Sequence, residues 1–404
     1  MADALRALPA ERIVAHVADA ARRWCDADLP ARVRVTGEIE RRLGYSTPVV
    51  EYALDRLFSG VDRTTLVAAI AGELGSVSAL DGPVERPGLP PAWARGAASV
   101  AIVSSETTIG VALVPAIFAL CAKCDVTVKD RGDALIAAFL ATLAEEDPAF
   151  ARCARADAWS GGDDPREDQL FARADVVVAF GGDDALRAIR ARCGAETRFV
   201  PFGRRTSVGR LTAGDATDLD DARADRIVRD ALLYDGEGCL SLHALFVDAH
   251  GAELARAAAL LRAACERVAL EFPGGEHDAT VLARTAAYRN AAAFRAANGG
   301  GALLRGADAV VVIDPPLDEL PPLLPRVLPV YGGGDDALSA YVERHRLPVQ
   351  ALAVGAVDAA AVALAARIGA VRVAPFGALQ SPPLASHHGG SPRIADFVRW
   401  IDGA

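Results

Sequence analysis

The chain has 404 residues and a formal net charge of −10 at pH 7, and 52% of its residues are hydrophobic. This length and hydrophobic content predict two good-sized domains with large buried cores. The excess of acidic residues argues against nucleic acids and anionic membrane surfaces as partners, so an anionic ligand would have to be bound by local basic residues.

The cysteines and the apolar runs indicate the cellular compartment. Seven cysteines occur at irregular spacing, which is typical of a reducing compartment rather than of a disulfide framework. No apolar run reaches the roughly 18 residues expected of a membrane span. We therefore expect a soluble, cytoplasmic protein without a membrane span.

The first part of the chain, from Leu5 to about Leu80, is predicted to be helical. Apolar residues recur there at intervals of three or four, as at Ile13, Val17 and Ala21. The proline-rich segment at residues 84–91 predicts a linker. We assign residues 1–95 to an N-terminal helical region and linker.

Strands and helices alternate between residues 99 and 200. The predicted strands are Val100–Val103, Val126–Val128, Val176–Phe180 and Phe199–Phe202, and the predicted helices are Val111–Cys121, Ala134–Ala144 and Asp183–Cys193. This alternation indicates parallel βαβ units. We therefore predict a doubly wound αβ domain over residues 96–212.

Two features follow strands of this domain, where parallel sheets bind ligands. Lys129 ends one strand, and Gly181 and Gly182 follow another and precede a helix that we expect Asp183 to cap. A glycine turn opening a helix presents free N–H groups to phosphate. The alternatives are a solvated surface charge at Lys129 and an ordinary tight turn at the glycines.

A basic segment, PFGRRTSVGR, follows at residues 201–210. It holds three arginines and no carboxylate in an otherwise acidic chain. Arginine suits phosphate oxygens, so Arg204 is a candidate contact to nucleotide phosphates. The alternative is a solvated basic loop.

One cysteine stands out in the segment LLYDGEGCLSLHALFV, residues 232–247. Cys239 lies between a Gly-x-Gly turn, Gly236 and Gly238, and a β-like run, Ala244–Val247. Glycines let the chain turn tightly and expose the thiol, as a cysteine that attacks a carbonyl requires. The alternative is a small buried cysteine at the start of a strand.

The rest of the chain predicts a second αβ domain over residues 213–374 and a C-terminal segment at 375–404. The expected helices are Asp215–Arg229, Ala252–Leu270, Thr280–Ala297, Asp335–Val342 and Asp358–Ala366, and the expected strands are Val310–Ile313, Val327–Val330, Val349–Val354 and Val371–Ala374. His387 and His388 are adjacent and lack a third ligand nearby, and Cys121 and Cys124 lack a second pair, so no metal site is predicted.

Two of these segments resemble one family. GCLS (238–241) after an aromatic, acidic turn, and the C-terminal stretch with its prolines, histidine turn and expected terminal Val-Arg-Trp helix, resemble the LuxC-type long-chain acyl-CoA reductases of the aldehyde dehydrogenase superfamily. The resemblance implies an α/β, aldehyde-dehydrogenase-like fold. We expect two Rossmann-related αβ domains, one cofactor-binding (96–212) and one catalytic (213–374), with the helical N-terminal region.

The resemblance also implies a reaction and a site. NADPH-dependent reduction of a fatty acyl thioester to an aldehyde would pass through an acyl group on Cys239. The superfamily's oxyanion-hole asparagine falls on Thr107, and His387 becomes a candidate proton donor. The alternative for His387 and its neighbour is a role in structural packing. Lys129, Gly181, Gly182 and Arg204 become cofactor contacts. The implied partners are fatty acyl-CoA or an acyl carrier, an acyl-activating or acyl-transferring protein, and further copies of the chain in a homo-oligomer.

Two other functions stay open from the sequence. No glutamate motif of the kind that activates water in hydrolytic aldehyde dehydrogenases precedes Cys239, which favours acyl transfer or reduction over hydrolysis. An acyltransferase or thioesterase would use Cys239 without hydride transfer. A non-catalytic subunit would keep the fold and tolerate replacement of the cysteine.

Overall fold

The computed structural model describes residues 3–105, 108–132, 134–159, 161–162 and 164–403. The helices in these ranges are α1 (Asp3–Arg6), α2 (Ala10–Trp24), α3 (Pro30–Leu43), α4 (Thr47–Ser59), α5 (Arg63–Leu74), α6 (Leu113–Cys121), α7 (Leu135–Glu146), α8 (Pro148–Cys153), α9 (Asp164–Arg173), α10 (Asp183–Arg192), α11 (Ala213–Thr217), α12 (Asp221–Leu232), α13 (Gly251–Glu271), α14 (Ala279–Ala297), α15 (Asp335–His345) and α16 (Ala359–Arg367).

The strands belong to three sheets. They are β1 (Val84–Arg86), β2 (Leu89–Gly96), β3 (Ser99–Val103), β4 (Asp125–Asp130), β5 (Ala154–Ala158), β6 (Val176–Phe180), β7 (Arg198–Phe202), β8 (Thr206–Leu211), β9 (Leu242–Val247), β10 (Ala302–Arg305), β11 (Val310–Ile313), β12 (Val327–Gly332), β13 (Val349–Val354), β14 (Val373–Pro375) and β15 (Val398–Asp402).

The chain divides into two compact units. Unit 1 comprises residues 1–43, 50–203 and 383–404, and unit 2 comprises residues 44–49 and 204–382. The assignment of one part to cofactor binding and another to catalysis stays a prediction.

Unit 1 contains a parallel five-stranded sheet in the order β5-β4-β3-β6-β7. Its central strands are buried along nearly their whole length, and β6 at every residue, because helices cover parallel sheets on both faces. The N-terminal helices pack against this domain, since the Trp24 indole donates to Thr142 Oγ1 at 3.0 Å and its ring lies 4.9 Å from that of Phe58. A second, antiparallel sheet has the order β1-β2-β15.

Unit 2 contains a seven-stranded sheet in the order β10-β11-β12-β9-β8-β13-β14. Only β10 pairs antiparallel within it. Its core includes stacked rings of Phe246 and Tyr331, 4.9 Å apart. The turn preceding β9 carries Cys239, so the sheet places this cysteine at the start of a central strand.

The α/β fold with its helical N-terminal region is confirmed. Several local predictions are wrong, among them the single helix expected over Asp215–Arg229, which is divided into α11 and α12. Residues 84–91 are not a linker but contain β1 and the start of β2, and the expected terminal helix is the strand β15, which pairs with β2 along Val398–Asp402. Trp400 and Ile401 suit an edge strand, since aromatic and β-branched side chains favour extended backbone.

The structure bears on two further features of the sequence, the apolar character of its helices and the state of its cysteines. Among the described residues, no helix has both the length and the apolar character needed to cross a membrane. All seven cysteines are free thiols. Cys121 and Cys124 are buried, which agrees with a core role for this pair.

Candidate active site

Cys239 is exposed in a tight turn that leads into β9. The turn is closed by two hydrogen bonds, because the Ser241 N–H donates to the Gly238 carbonyl at 2.9 Å and the Gly238 N–H donates to Ser241 Oγ at 3.1 Å. The predicted strand after the cysteine is confirmed as Leu242–Val247. The thiol therefore lies exposed at the tip of a tight turn, as the two preceding glycines predict.

The surroundings of the thiol act on its pKa in opposite directions. Desolvation by the dense packing around Sγ raises the pKa of Cys239 above its usual value, while the backbone N–H groups of Cys239 and Leu240 and the charge of Arg205 lower it. The net shift is upward, so the resting thiol is mostly protonated at neutral pH. Its attack on a carbonyl requires loss of that proton when substrate is bound.

A buried serine on the neighbouring strand holds the carbonyl of the nucleophile. Ser207, on β8, is fully buried and its Oγ donates to the Cys239 carbonyl at 2.7 Å. The Ser207 N–H donates to Nδ1 of His243 at 3.1 Å. Burial lowers the pKa of His243 to about 4, so this histidine is neutral and its Nδ1 is free to accept. His243 and Ser207 thus anchor the turn to the sheet.

A second anchor comes from the segment after β14. Gln380 Nε2 donates to Ser241 Oγ at 2.9 Å and to the Asp230 carbonyl at 3.3 Å. The Asp230 carboxylate accepts the N–H groups of Gly377 at 2.6 Å and Leu379 at 3.2 Å. Burial raises the pKa of Asp230 to about 7 despite these bonds. The start of the predicted C-terminal segment is therefore part of the support for the nucleophile turn.

The residues just before the turn adopt left-handed backbone. Tyr234 and Asp235 have φ values of 56° and 53°, and Gly236 follows at 77°. Such values are unfavourable for non-glycine residues and need external support. Asp235, 1% exposed, is bonded by Arg326 Nη1 at 3.1 Å and lies 3.3 Å from His277 Nε2. These two partners stabilise the left-handed backbone just before the turn.

Lys129 is a buried, paired residue of unit 1. Its ammonium forms an ion pair with Glu167, whose other carboxylate oxygen lies 2.9 Å from Arg192. The ammonium also lies 5.4 Å from the centre of the Trp159 ring. The alternative of a solvated surface charge is therefore wrong for Lys129, while a contact to cofactor stays a prediction.

The glycine turn after β6 opens a helix as expected, but its cap differs. Gly182 is the N-cap of α10, and Asp183 lies in the first helical turn with Asp184. Asp183 was expected to be the N-cap, and this prediction is wrong. Gly182 occupies the position with an extended backbone and without a side-chain hydrogen bond, and glycine is a residue that N-caps tolerate. Gly181 donates its N–H to the Phe202 carbonyl at 3.2 Å. The two acidic residues compete with any phosphate for the helix N-terminus.

The arginines of residues 201–210 have different environments. Arg204 is exposed in the turn between β7 and β8, and Arg205 is half-buried beside it. Arg210 lies within β8, is buried, and pairs with Asp335 at 2.9 Å. The alternative of one solvated basic loop is wrong for Arg210, because the carboxylate that neutralises it comes from α15, distant in sequence.

The two adjacent histidines have different roles in the structure of unit 1. His387 is exposed. His388 stacks on Phe202 at 4.2 Å and lies 5.7 Å from Phe180, so it covers the ends of β6 and β7. Thr107 lies outside the described residues, so its predicted oxyanion role, like the proton-donor role of His387, stays a prediction.

Ser207, His243, Asp230 and Gln380 were not selected as site residues from the sequence. Ser207 and Gln380 contact the turn of Cys239 from 32 and 139 residues away along the chain. His243 and Asp230 act through them, since His243 accepts the Ser207 N–H and the Asp230 carbonyl accepts from Gln380. A serine inside a strand and an aspartate inside a helix give no local sequence signal. Three of the four lie in segments that had drawn attention for other reasons: Ser207 in the basic segment, His243 in the cysteine segment and Gln380 in the C-terminal stretch.

A cavity of about 400 Å³ lies on the five-stranded sheet of unit 1, between β3, β4, β5 and α9. Arginines from two elements line it, Arg155 on β5 and Arg166 and Arg173 on α9, with Trp159 at the end of β5. Asp157 is the one carboxylate among those lining residues that the structure describes. The cavity thus has positive lining in an acidic chain, as a phosphate-bearing ligand would need.

The comparisons with known proteins identify the family. The sequence profile of the family described as acyl-CoA reductase (LuxC) matches residues 5–400. None of the curated protein sequences compared with the chain matches it significantly.

Solved structures of aldehyde dehydrogenases share the fold. Aldehyde dehydrogenase 21 from Physcomitrella patens is 13% identical, with a TM-score of 0.74, over 99% of this chain and 87% of that one. An NAD-dependent benzaldehyde dehydrogenase from Corynebacterium glutamicum is 15% identical, with a TM-score of 0.72, over 99% and 87%.

A third match is to a longer protein. Proline utilization A from Bradyrhizobium japonicum is 17% identical, with a TM-score of 0.73, over 99% of this chain. The chain spans only 43% of that protein. The chain belongs to the LuxC acyl-CoA reductase family and has the aldehyde dehydrogenase fold.

Proposed function

We propose that the chain reduces a fatty acyl thioester, such as acyl-CoA, to the aldehyde with NADPH, and that the acyl group is held on Cys239 during the reaction. The observation that carries this proposal is the nucleophile turn itself. One exposed thiol is fixed in a hydrogen-bonded turn at the start of a central strand, and the buried Ser207 hydroxyl holds the carbonyl of the same residue. Membership in an acyl-CoA reductase family supplies the substrate class.

The chain's own groups account for acyl transfer to the enzyme. The thiolate of Cys239 attacks the thioester carbon, the bond from that carbon to the sulfur of coenzyme A breaks, and coenzyme A leaves as a thiol after taking up a proton. Arg205 favours the thiolate by its charge. The hydrogen bond from Ser207 keeps the Cys239 backbone in one orientation during the attack.

Several residues of unit 1 support binding of a nicotinamide dinucleotide, whose phosphate groups need hydrogen-bond donors. The N–H groups of the first turn of α10, the ammonium of Lys129 beside Glu167 and the arginine-lined cavity offer donors for phosphate and ribose oxygens. Arg204 adds an exposed guanidinium in unit 2. When bound, NADPH supplies the hydride that converts the acyl group to aldehyde.

The test is oxidation of NADPH that depends on acyl-CoA, measured over a series of chain lengths with NADH in parallel. Cys239→Ala is expected to abolish the oxidation, while Cys25→Ala, which removes another exposed thiol, is expected to leave it unchanged. Release of coenzyme A by the wild type without any NADPH or NADH oxidation would instead identify an acyltransferase or thioesterase. Full activity in Cys239→Ala would contradict the proposal.

A further inference from the structure

The Ser241 hydroxyl closes the turn at residues 238–241, and both of its acceptor positions are occupied. Ser241 is 0% exposed, and its Oγ accepts the Gly238 N–H at 3.1 Å and the Gln380 Nε2–H at 2.9 Å. A hydroxyl oxygen has two lone pairs, so these two donors use both. The Ser241 N–H donates in turn to the Gly238 carbonyl at 2.9 Å. The residues that flank Cys239 and Leu240 are therefore joined by two hydrogen bonds, one of them through an oxygen that Gln380 holds.

The carboxamide of Gln380 reaches Ser241 in one orientation only. Its Nε2 also donates to the Asp230 carbonyl at 3.3 Å, and a carbonyl oxygen can only accept. The amide nitrogen, not the amide oxygen, therefore faces both partners. Asp230 lies in the last turn of α12, where backbone carbonyls have no acceptor role left to fill within their own helix. Gln380 thus supplies the donor that this helix end needs and ties it to the turn.

The backbone just before Gln380 is itself held on both its donor and its acceptor groups. Two of its N–H groups donate to the carboxylate of Asp230, at 2.6 and 3.2 Å. Two of its carbonyls accept from the guanidinium of Arg372, at 2.5 and 2.8 Å. Supporting side chains fixed in this way hold a reactive group within narrow limits. The position of Gln380 is therefore set before any substrate binds.

We propose that Gln380 is a positioning residue for acyl transfer: through Ser241 it fixes the turn that directs the Cys239 thiol at the thioester carbon. The inference rests on the proposed acylation of Cys239. Gln380 contacts the turn through Ser241 and the end of α12 through Asp230. Its loss is therefore expected to change the direction of attack and to leave the chemical reactivity of the sulfur as it is.

Two reactions of the same thiol separate direction from reactivity. The thiolate must approach the carbon of a bound thioester within a narrow range of distance and angle, and a displacement of about 1 Å can cost roughly 10²-fold in rate. Iodoacetamide diffuses freely and can approach an exposed thiol from any open side. A displaced but otherwise normal Cys239 thus loses acylation and keeps alkylation.

The first experiment compares full-length wild type with Gln380→Leu, which keeps a side chain of similar size and removes the amide donor. Acylation by acyl-CoA without NADPH is followed as single-turnover release of coenzyme A. Alkylation by iodoacetamide is measured across pH to give the pKa of the thiol. We expect acylation at saturating acyl-CoA to fall about 10- to 100-fold, as misplacement of a reacting group does.

The other readouts are those that a general loss of structure would move. The acyl-CoA concentration at half-maximal rate and the alkylation rate should change less than about threefold, because substrate binding is untouched, and the thiol pKa should stay the same. An equal fall in acylation and alkylation would overturn the role of Gln380. Gln380→Asn, one carbon too short to reach both acceptors, carries the same expectations and is used if the leucine variant does not fold.

The second experiment tests whether Gln380 acts through Ser241. Gln380→Leu, Ser241→Ala and the double variant are compared in acylation. Residues that act through one contact have non-additive effects, so the double variant should acylate within about twofold of the slower single variant. Ser339→Ala, which removes a half-buried hydroxyl bonded within α15, should acylate like wild type. A double variant whose loss is the product of the two single losses would show that Gln380 acts by another route and overturn the inference.

Failure of the inference and failure of the proposed function give different results. Mass spectrometry of the wild type after exposure to acyl-CoA reports whether an acyl group is attached to Cys239. If none is attached, the proposed function fails, and the positioning role fails with it. If Cys239 is acylated and the Gln380 and Ser241 variants acylate at the wild-type rate, only the positioning inference is wrong.

Discussion

The carboxylate of Asp230 accepts the backbone N–H of Gly377 at 2.6 Å and thereby ties α12, which precedes the nucleophile turn, to the segment after β14. The side chain is almost completely buried. Gln380, three residues further along, completes the connection by donating to Ser241 within the turn. A titratable group therefore lies in the support of the reactive cysteine.

This relationship predicts a pH-dependent stability. Burial raises the pKa of Asp230 to about 7 in the folded protein, above the ordinary value of 3.8. A group whose pKa is raised by folding stabilises the protein at low pH, and this contribution is lost as the pH rises from the unfolded to the folded pKa. We expect the free energy of unfolding of wild type, relative to Asp230→Asn, to fall between pH 4 and 7 by at most about 1.4 kcal/mol per pH unit.

Urea unfolding of both proteins at several pH values between 4 and 8 measures this difference. Asp230→Asn removes the titration and replaces one acceptor by a donor that faces a backbone N–H. Above pH 7 the difference should be constant. A difference that is the same at every pH would show that Asp230 does not titrate in this range.

Substitution of Arg326 is expected to lower the free energy of unfolding by a large amount. Its guanidinium pairs with Asp235 at 3.1 Å and Asp308 at 2.9 Å and donates to the carbonyls of Phe272 and Leu232. Arg326→Met leaves Asp235 buried without its main partner, and breaking a buried pair typically costs about 3–5 kcal/mol. Urea unfolding at pH 8 measures the change.

A matched control for Arg326 is the exposed pair of Arg367 and Asp336, 3.0 Å apart. Arg367→Met should cost less than about 1 kcal/mol, because water and salt screen exposed pairs. If Arg326→Met were no more destabilising than this control, the left-handed turn at Tyr234 and Asp235 would not depend on the buried pair.

His277 is expected to stabilise the folded protein more at low pH than at high pH. The hydrogen bond and charge of Asp235 raise its pKa above 6.5, although partial burial acts in the opposite direction. The protonated histidine therefore stabilises the folded state below pH 6.5, and this contribution is lost as the pH rises through the folded pKa. His277→Gln should lower the free energy of unfolding more at pH 5.5 than at pH 9. Equal losses at both pH values would contradict the ion pair.

The arginine-lined cavity of unit 1 predicts an effect on cofactor binding. Arg155→Ala should raise KM for NADPH about three- to tenfold with little change in kcat, because a partly solvated guanidinium contributes less than a buried one to phosphate binding. Arg152→Ala is the control, since Arg152 is exposed on α8 and does not line the cavity. If both substitutions changed KM for NADPH equally, the cavity would not be part of the cofactor site.

Much of the fold was predictable because its strands carry local signals. The strands β6, β11 and β13 are continuous buried runs rich in valine, and such runs are typical of parallel sheets covered on both faces. The strand β8 was missed because it contains Arg210, whose charge is neutralised by Asp335 from a distant helix. The pairing of β2 with β15 joins segments that are distant in sequence and has no local signal.

The nucleophile was predictable for a similar reason, and its support was not. Two glycines stand just before the cysteine in the sequence, so the segment around Cys239 can be recognised without the structure. Ser207 and Gln380 reach the same turn from other strands and loops. Their role depends on sheet order, which places β8 beside β9 and cannot be obtained from residue spacing alone.

The most direct test of the account is the chemical state of Cys239 during the reaction. Intact-protein and peptide mass spectrometry would be recorded after mixing the chain with acyl-CoA in the absence of NADPH, and again after NADPH is added. We predict one acyl group on the peptide that carries Cys239, one coenzyme A released per chain, and loss of the acyl group as aldehyde on adding NADPH. NADPH-dependent aldehyde formation by Cys239→Ala, or an acyl group attached only to another residue, would contradict the account.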